Sequence, residues 1–427
     1  MLEIEQSVKV HLKLSKNDLN VNSFINSCNE IGRNISRSLF VNLMKKAQET
    51  LLTQYLGVPW HKSTGLITPW ECPRCAARTG FKRRGSRTRI LKTSTGIVFF
   101  PLLQVTCDDC GKTFSPFPKL FGFEKWQRIS QELEQKFCRI VKDISYGKTA
   151  KFVNEIFDVD LSPRTVHSSV QKYGARAKIV EDLSHISHLQ VDSTKINASN
   201  SERGIDVHLA ISIGPTEQKN GRTVRKKTLV SVQVSESPTE VKRLLRKSHV
   251  DQLTVDGKSG LESYITNERI PTTIQRCLWH IPRTAAHMMY LDGYSIVSGR
   301  EFVSPLKYLL FDESLSVKTR LEKYNAFIEE CRIAGCKKTV NFLENAVSDL
   351  FTYKQFVDSG IHGRTNSVVE RQMREINRRM ENGTRWTPTG AHNLLNLKLI
   401  DELNPHSYAY LWKLRKNKFY NFKVILC

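Results

Sequence analysis

Three carboxylates, far apart along the sequence, occupy positions where acids often take part in chemistry. Asp192 lies in the C-terminal half of a short apolar strand, and Asp256 directly follows a β-branched, apolar run that ends at Val255. Glu370 lies just over one turn into a strongly basic helix. Because an acid at the C-terminal end of a strand often carries the chemistry of an α/β fold, these three residues are the first candidates for a site.

Carboxylates of this kind suit a pair of Mg²⁺ (or Mn²⁺) ions, which prefer oxygen ligands. Two such ions, about 3.5–4 Å apart, activate the attacking oxygen and stabilise the leaving oxygen when a phosphodiester is broken. We predict that Asp192 bridges both ions, with Asp256 on one and Glu370 on the other. Each acid alone is weak evidence, since strand-end acids are often caps and helical acids often form solvated ion pairs. Asp206 is the alternative first acid and Glu375 the alternative third.

A C-x-x-H pair, Cys277 and His280, follows the strand after Asp256. Two ligands are too few for a zinc site. We therefore predict that His280 orients a phosphate or holds the neighbours of the three acids, and a packed core position is the alternative.

Two C-x-x-C pairs, Cys72 with Cys75 and Cys107 with Cys110, predict a second metal site. Each pair brings two thiolates to one ion, and two pairs make a tetrahedral Zn²⁺ site. The strand-like connection between them is typical of a zinc ribbon, in which the ion stabilises a segment too small to have its own core. The alternative is four reduced structural cysteines.

A helical pair follows, at Lys148–Phe157 and Arg164–Tyr173. Ser162 is the expected N-cap of the second helix, with Pro163 at its first position. A short turn between two helices is typical of a helix-turn-helix that binds DNA, although any helical hairpin gives the same pattern. The predicted DNA contacts on its polar faces are Arg164, His167, Gln171 and Lys172.

The later part of the chain predicts an α/β domain. Three strands, a helix and a fourth strand succeed one another in the order of the ribonuclease-H-like fold, a mixed five-stranded sheet flanked by helices. In that fold the first and fourth strands are adjacent and parallel, which would bring Asp192 and Asp256 side by side. Asn220-Gly221 predicts the hairpin between the second and third strands. The predicted segments are strands at His188–Thr194, Ile205–Ile213, Thr223–Val234 and Asp251–Val255, and a helix from Pro238 to His249.

An all-helical insertion is predicted over about residues 290–362, with helices at Phe302–Leu310, Lys318–Ala334 and Lys337–Gln355. The basic helix of Glu370 follows, capped by Thr365 or Asn366. The predicted division of the chain is a strand (Val8–Leu14) and helical region for packing or dimerisation (1–68), a zinc ribbon (69–118), a helix-turn-helix region (119–182), the α/β domain (183–405) and a basic aromatic tail (406–427).

Charge is the strongest global signal: 427 residues carry a formal net charge of +23. Such an excess of cations predicts a polyanionic partner, above all nucleic acid, and a merely basic soluble protein is the alternative. No apolar run approaches the roughly 18 residues that a membrane span needs. The N-terminus lacks the pattern of a signal peptide, so we expect an intracellular protein without a membrane partner.

Two stretches within about residues 186–405 resemble Mutator-like DDE transposases and their prokaryotic insertion-sequence relatives. The first contains Asp256-Gly257, Gly260-Leu261, Pro271, Gln275, Cys277-x-x-His280 and Arg283. The second contains Thr365-Asn366-x-x-x-Glu370-Arg371, Arg374, Asn377, Arg378 and Trp386-Thr-Pro-Thr-Gly390.

The resemblance implies that Asp192, Asp256 and Glu370 are the metal-binding triad, with Cys277 and His280 beside it. It also implies an N-terminal region that binds the element's terminal inverted repeats, and Mg²⁺-dependent strand cleavage followed by joining of the 3′-hydroxyl to target DNA. We expect a homodimer or larger assembly on double-stranded DNA, cytoplasmic and associated with the nucleoid. The further DNA contacts expected on the basic helix are Arg371, Arg374 and Arg378. A transposase-derived regulator that has lost catalysis and a host nuclease such as a junction resolvase are the alternatives.

Overall fold

The computed structural model describes residues 20–58, 65–199, 201–257, 260–361, 363–381 and 384–413. The chain forms two compact units, residues 1–169 with 410–427, and residues 170–409. The five-part division predicted from the sequence is finer than this and stays a prediction. The strand predicted at Val8–Leu14 and the tail beyond Lys413 lie outside the described residues.

The described part of the first unit begins with a long helix and continues with a small sheet and four shorter helices. Its last helix ends in the second unit. The elements are α1 (Val21–Leu56), β1 (Phe81–Thr93), β2 (Gly96–Cys107), β3 (Thr113–Phe114), α2 (Phe117–Leu120), α3 (Gln131–Val141), α4 (Tyr146–Phe157) and α5 (Pro163–Arg176).

The antiparallel hairpin of β1 and β2 has more core than the sequence predicted. Trp70, Phe81 and Leu102 are buried in one cluster with Leu52 and Leu56 of α1. The sequence predicted a segment too small to have its own core, and the core found here is shared with α1. The last turns of α1 supply part of the apolar surface that packs against the hairpin.

The helical pair predicted before the α/β domain is present as α4 and α5. Ser162 caps α5 as expected, since its Oγ accepts a hydrogen bond from the Thr165 N–H at 3.2 Å. Ser145 caps α4 in the same way, through Lys148 N–H at 3.3 Å. Asp158 ends α4 in the left-handed region (φ 50°), which turns the chain between the two helices.

The second unit contains a mixed sheet followed by helices. Its elements are β4 (His185–Ile196), β5 (Ile205–Lys219), β6 (Arg222–Val234), α6 (Thr239–Lys247), β7 (His249–Val255), α7 (Leu261–Asn267), β8 (Thr273–Arg276), α8 (His280–Leu291), α9 (Ile296–Phe311), α10 (Val317–Ile333), α11 (Lys337–Glu344), α12 (Ser367–Met380), α13 (Pro388–Leu403) and α14 (Pro405–Lys413).

The five-stranded mixed sheet is confirmed, with the order β6-β5-β4-β7-β8. β5 is antiparallel to both β4 and β6, whereas β7 is parallel to both β4 and β8. The predicted hairpin is at Asn220 and Gly221, which have φ of 52° and 72°. The first and fourth strands of the unit are therefore adjacent and parallel, as predicted.

The helical insertion is also confirmed, but its last helix is shorter than predicted. α11 ends at Glu344, and two 3₁₀ segments follow at Val347–Asp349 and Thr352–Phe356. The buried Gln275 of β8 explains the difference. Its amide donates to Leu350 O at 2.7 Å and accepts from Tyr353 N–H at 2.8 Å, so these backbone groups bond to the sheet instead of continuing a helix.

Candidate active site and metal centre

The register between β4 and β7 aligns two of the predicted acids. Gln190 pairs with Thr254, and Asp192 and Asp256 each stand two residues beyond that pair. Side chains alternate between the two faces along each strand, and this alternation, continued from Val255 to Asp256, puts both acids on the same face of the sheet. Both are half-buried.

A layer of buried polar side chains on the same face holds the segment that leads into α12. Gln252 and Thr254 donate to Gly363 O at 3.1 and 2.7 Å, and Gln190 donates to Thr365 O at 2.8 Å. Buried polar groups cost free energy unless they are paired, so these bonds fix the segment strongly against the sheet. The start of α12 is thereby held beside Asp192 and Asp256.

Gly363 has no room for a side chain in this layer. A Cβ at this position would lie 2.5 Å from His188 Nε2 and 2.6 Å from Gln252 Oε1. The close approach lets the backbone of the segment reach the polar side chains of β4 and β7. Sequence inspection singled out neither Gly363 nor the polar layer.

His188 is buried and neutral in this layer. The Thr254 hydroxyl donates to Gly363 O, so it accepts from His188 Nε2–H at 2.8 Å. Burial, with a smaller contribution from the Arg225 charge, lowers the pKa of His188 to about 3. The unfolded chain takes up a proton near pH 6.5 that the folded chain does not take up until about pH 3. The contribution of neutral His188 to the free energy of unfolding is therefore fully present above pH 6.5 and is lost as the pH falls from 6.5 towards 3.

We expect the second unit to lose about 2 kcal/mol of unfolding free energy between pH 7 and pH 5 because of this histidine. His188→Gln keeps a donor for Thr254 but has no proton to gain, so this part of the pH dependence should disappear. Urea unfolding of both proteins at the two pH values measures it. His406→Gln, at an exposed position, should retain the wild-type pH dependence. An unchanged pH dependence in His188→Gln would contradict the prediction.

α12 contacts β4 on both sides of Asp192. Thr365, just before the helix, accepts from Gln190, and Asn377, near its end, donates to Thr194 Oγ1 at 3.0 Å. Glu370 lies between these two contacts in the helix. The helix therefore runs along the strand past Asp192.

The N-cap of α12 differs in detail from the prediction. Asn366 is the N-cap residue, but its side chain makes no capping bond within the helix. Instead it is fully buried and donates to Val191 O at 3.0 Å. The physical reason is that a buried amide must be paired, and the Asn366 amide meets a carbonyl of the sheet, so it bridges α12 to β4.

Glu370 meets the C-x-x-H pair at the start of α8. His280 Nε2 lies 3.5 Å from Glu370 Oε1, and donor atoms of Cys277, His280 and Glu370 lie within 4.8 Å of one another. The spacing of the C-x-x-H pair suggested only two ligands here, whereas the family resemblance placed the pair beside the triad that includes Glu370. Glu370 comes from a helix that begins 90 positions after Cys277. His280 therefore contacts a predicted metal ligand directly.

The Cys277 thiol has a structural role in this group. Burial raises its pKa to about 11, and its Sγ accepts a hydrogen bond from the Asn366 N–H at 3.3 Å. Since metals bind the thiolate and not the thiol, a neutral Cys277 is a poor ligand. It anchors the N-terminus of α12.

The three predicted acids do not converge on one point. In the described part of the chain, groups of three or more potential ligands meet within 4.8 Å only at the four paired cysteines, at Cys277 with His280 and Glu370, and at His185 with His249 and Asp251. Asp192 and Asp256 belong to none of these groups. Acids that share two ions about 3.5–4 Å apart need not all lie within 4.8 Å of one another, because they surround two centres and not one. Joint ion binding by Asp192, Asp256 and Glu370 therefore stays a prediction.

The two alternative acids face elsewhere. Asp206 pairs with Lys195, three residues beyond Asp192, and the alternation of side chains puts it on the opposite face of the sheet. Glu375 forms an ion pair with the exposed Arg378 at 2.8 Å. Neither is placed as well as Asp192 or Glu370 to join Asp256.

Arg276, which sequence inspection missed, supports the turn after Asp256. Its guanidinium lies 3.4 Å from both Glu262 and Asp349, and all three side chains are mostly buried. Gly257 has φ 89°, and a Cβ there would lie 1.8 Å from Arg276 Nη1. The sequence indicated this support for the turn only through Gly257, directly after the acid, and Arg276, a cation at the end of an apolar strand.

The four paired cysteines form a compact cluster in the first unit. Sγ atoms of Cys72 and Cys110 are 3.5 Å apart, those of Cys75 and Cys107 are 3.6 Å apart, and all four lie within 4.8 Å of one another. Each pair sits on a tight turn, because Ala76 N–H and Gly111 N–H donate back to the carbonyls of Cys72 and Cys107. Four thiolates are the donors of a structural zinc site, so a cluster with this spacing could hold a metal such as zinc.

Backbone amides favour ionisation at one of these thiols. Burial opposes the charge on Cys72, but hydrogen bonds from the backbone of Cys75 and Arg74, together with its thiol neighbours, lower its pKa to about 7. A thiol that ionises near neutral pH is a ready first ligand for an incoming ion.

The sequence profile of the Mutator family of transposases matches residues 30–400 of this chain. The match covers most of the 427 residues, including the four cysteines and the three acids. The chain belongs to the Mutator family of transposases. The resemblance inferred from two stretches of the sequence is thereby confirmed, and it extends further towards the N-terminus than those stretches. No curated protein matches the chain. Among the described helices of this transposase, none has an apolar stretch of the length that a bilayer requires.

The predicted DNA contacts of the transposase are unequally exposed. Arg371, Arg374 and Arg378 are exposed along one side of α12, at helical spacings of three and four. Arg164 and His167 are exposed on α5.

Gln171 of α5 is already engaged within the chain. Its Oε1 accepts from Asn393 Nδ2 of α13 at 2.7 Å. Lys172 is half-buried, with its Nζ 4.8 Å from the ring centroid of Tyr173. Contacts of these two residues with DNA stay predictions.

Proposed function

We propose that this transposase is a DDE enzyme with a ribonuclease-H-like catalytic domain. It cuts DNA strands and joins the freed 3′-hydroxyl ends to target DNA at Asp192, Asp256 and Glu370. The observation that supports the proposal is the parallel register of β4 and β7, because Asp192 of β4 and Asp256, the residue after β7, each come two residues after the pair of Gln190 and Thr254. The sheet order and the helical segment before α12 support the same assignment.

The donor set suits Mg²⁺ or Mn²⁺. Carboxylate oxygens are the ligands these ions prefer, and half-buried acids leave coordination positions open to water and phosphate. Asp192 would hold both ions, Asp256 one and Glu370 the other. When bound, the two ions would supply activation of the attacking oxygen and stabilisation of the leaving oxygen.

The protein's own groups orient the third acid and the substrate. The polar layer under α12 fixes the helix, and His280 Nε2, 3.5 Å from Glu370 Oε1, limits the positions that this carboxylate can take. His280 can donate to that carboxylate or, when a substrate is bound, to a phosphate oxygen. Arg371 and Arg374 are exposed beside Glu370 along the helix, where they would bind the phosphates of the DNA backbone.

Recognition of the element's ends is assigned to the first unit together with the remainder of α5. The four-cysteine hairpin would act as a zinc ribbon and α4–α5 as a helix-turn-helix, together binding the terminal inverted repeats. The net charge of +23 supports extensive contact with phosphates. Two ends must be cut and joined, so a homodimer or larger assembly forms on DNA, and its substrate brings it to the nucleoid.

Two glutamates on α12 provide a matched test. Glu370→Gln should reduce strand cleavage and joining by more than about a hundredfold, since the loss of groups that merely orient metal ligands already costs 10–100-fold. Glu375→Gln should stay within about threefold of wild type, because that side chain pairs with exposed Arg378. The assay uses labelled duplex carrying the element's own ends, taken from the DNA that flanks the gene, with Mg²⁺. Equal activity of the two variants, or a wild-type protein that binds these ends without cutting them, would refute the proposal.

A further inference from the structure

A second group of potential metal ligands lies at the start of β4 and β7. His185 and His249 form the first pair of the parallel register between these strands. Asp251 lies two residues after His249, so both project from the same face of β7. The group therefore joins two neighbouring strands at their N-terminal ends.

The two imidazoles point at one carboxylate. His185 Nε2 lies 3.0 Å from Asp251 Oδ2, and His249 Nε2 lies 3.0 Å from Asp251 Oδ1. The rings are stacked, with centroids 5.5 Å apart and an interplanar angle of 16°. The histidine side chains are more than half exposed and the aspartate is one-quarter exposed. Three donor atoms thus meet within 4.8 Å where solvent and ions reach them.

We propose that His185, His249 and Asp251 bind a first-row divalent transition-metal ion, with Zn²⁺ the best fit. Two imidazole nitrogens and a carboxylate suit zinc, nickel, copper or iron, whereas Mg²⁺ prefers oxygen ligands alone. In a tetrahedral zinc site the ligand atoms lie about 2.0–2.2 Å from the ion and hence about 3.4 Å from one another. The two nitrogen-to-oxygen distances of 3.0 Å are a few tenths of an ångström below this spacing, and all three donor atoms lie within 4.8 Å of one another. Water would complete the coordination.

This site is separate from the proposed catalytic centre. His185 and Asp192 are seven residues apart on β4, and at about 3.3 Å per residue this amounts to roughly 23 Å. An ion here would join the strands that carry Asp192 and Asp256 at their opposite ends. The inference concerns strand stability and does not depend on the proposed activity.

The test uses the full chain with its four-cysteine site already loaded with zinc. Titration with Co²⁺ should reveal one further bound equivalent with visible absorption typical of nitrogen and oxygen ligands and without sulfur-to-cobalt charge transfer. Saturation with Zn²⁺ should raise the melting temperature of the second unit by about 5 °C. Binding should weaken as the pH falls, because protonated imidazoles do not bind metals.

Four variants decide the assignment. His185→Ala, His249→Ala and Asp251→Asn, each shown to be folded by circular dichroism, should lose the further equivalent and the rise in melting temperature. His406→Ala, an exposed histidine outside the group, should retain both. Absence of a further equivalent in the wild type, or its retention in His185→Ala/His249→Ala, would overturn the proposal. Loss of the further metal equivalent in Glu370→Gln would also overturn the proposal, because it would assign the ion to Glu370, Cys277 and His280.

Discussion

Replacement of Asp256 by Asn should abolish strand cleavage and joining while leaving binding to the element's ends at the wild-type level. The amide has nearly the size of the carboxylate, so the turn at Gly257 and the Arg276 network keep their geometry. It carries no charge, however, and is a much weaker ligand for Mg²⁺. We expect a loss of more than about a hundredfold in the rate of both steps. Mg²⁺-dependent nicking and strand transfer measure the rates, and gel-shift titration measures end binding.

Asp206→Asn is the matched control for this substitution. It makes the same chemical change on the neighbouring strand β5, but the register places Asp206 on the opposite face of the sheet. Its cleavage and joining rates should stay within about threefold of wild type. Strand transfer that persists in Asp256→Asn, or that fails equally in Asp206→Asn, would contradict the assignment of Asp256 as a metal ligand.

The alignment of Asp192 with Asp256 could be predicted because it follows from the order of the elements. Alternation of apolar residues identified the strands, and Asn220-Gly221 identified the hairpin. Once three antiparallel strands, a helix and a fourth strand are recognised, few sheet topologies are compatible with them. The pairing of β4 with β7 then follows from topology.

The contacts that hold Glu370 near the sheet could not be predicted. Gln252 and Thr254 read as ordinary strand residues, yet they bond to Gly363, more than 100 positions later. Such bonds leave no periodic signal in either segment. The same holds for Asn366, whose local context predicted a helix cap although its amide bonds to Val191. Local patterns identify elements, whereas buried polar pairing depends on which elements meet.

The four-cysteine cluster, in contrast, could be predicted from the sequence, because the spacing of the cysteines alone identified all four members. C-x-x-C constrains two thiols within a single turn, so the pairing is encoded locally. The core around the cluster was missed, because no local spacing shows that the end of α1 packs against the hairpin. Apolar packing with α1 stabilises this region, and we expect a metal at the four cysteines to stabilise it further.

Cys107→Ser should release the ion from this cluster and destabilise the first unit. A thiolate contributes a large share of the binding free energy of a structural zinc, which reaches about 10–16 kcal/mol in small zinc-binding peptides. Packing of Leu52, Phe81 and Leu102 offsets part of this loss, so we expect a folded unit whose melting temperature falls by at least about 10 °C. Elemental analysis measures the zinc, and calorimetry with and without chelator measures the transition.

Cys28→Ser is the control that distinguishes the effect of losing the ion from the effect of replacing a cysteine by serine. Cys28 is an exposed cysteine of α1, outside the cluster, so its replacement should leave both zinc content and melting temperature unchanged. Chelation of the wild type should lower the melting temperature to that of Cys107→Ser, and chelator should then have no further effect on the variant. Full zinc content in Cys107→Ser, or a wild-type transition that chelator does not move, would contradict a structural metal at these four cysteines. If the chelated wild type and Cys107→Ser have the same melting temperature, the lost stability comes from the ion. The stability that remains then comes from the core shared by α1 and the hairpin.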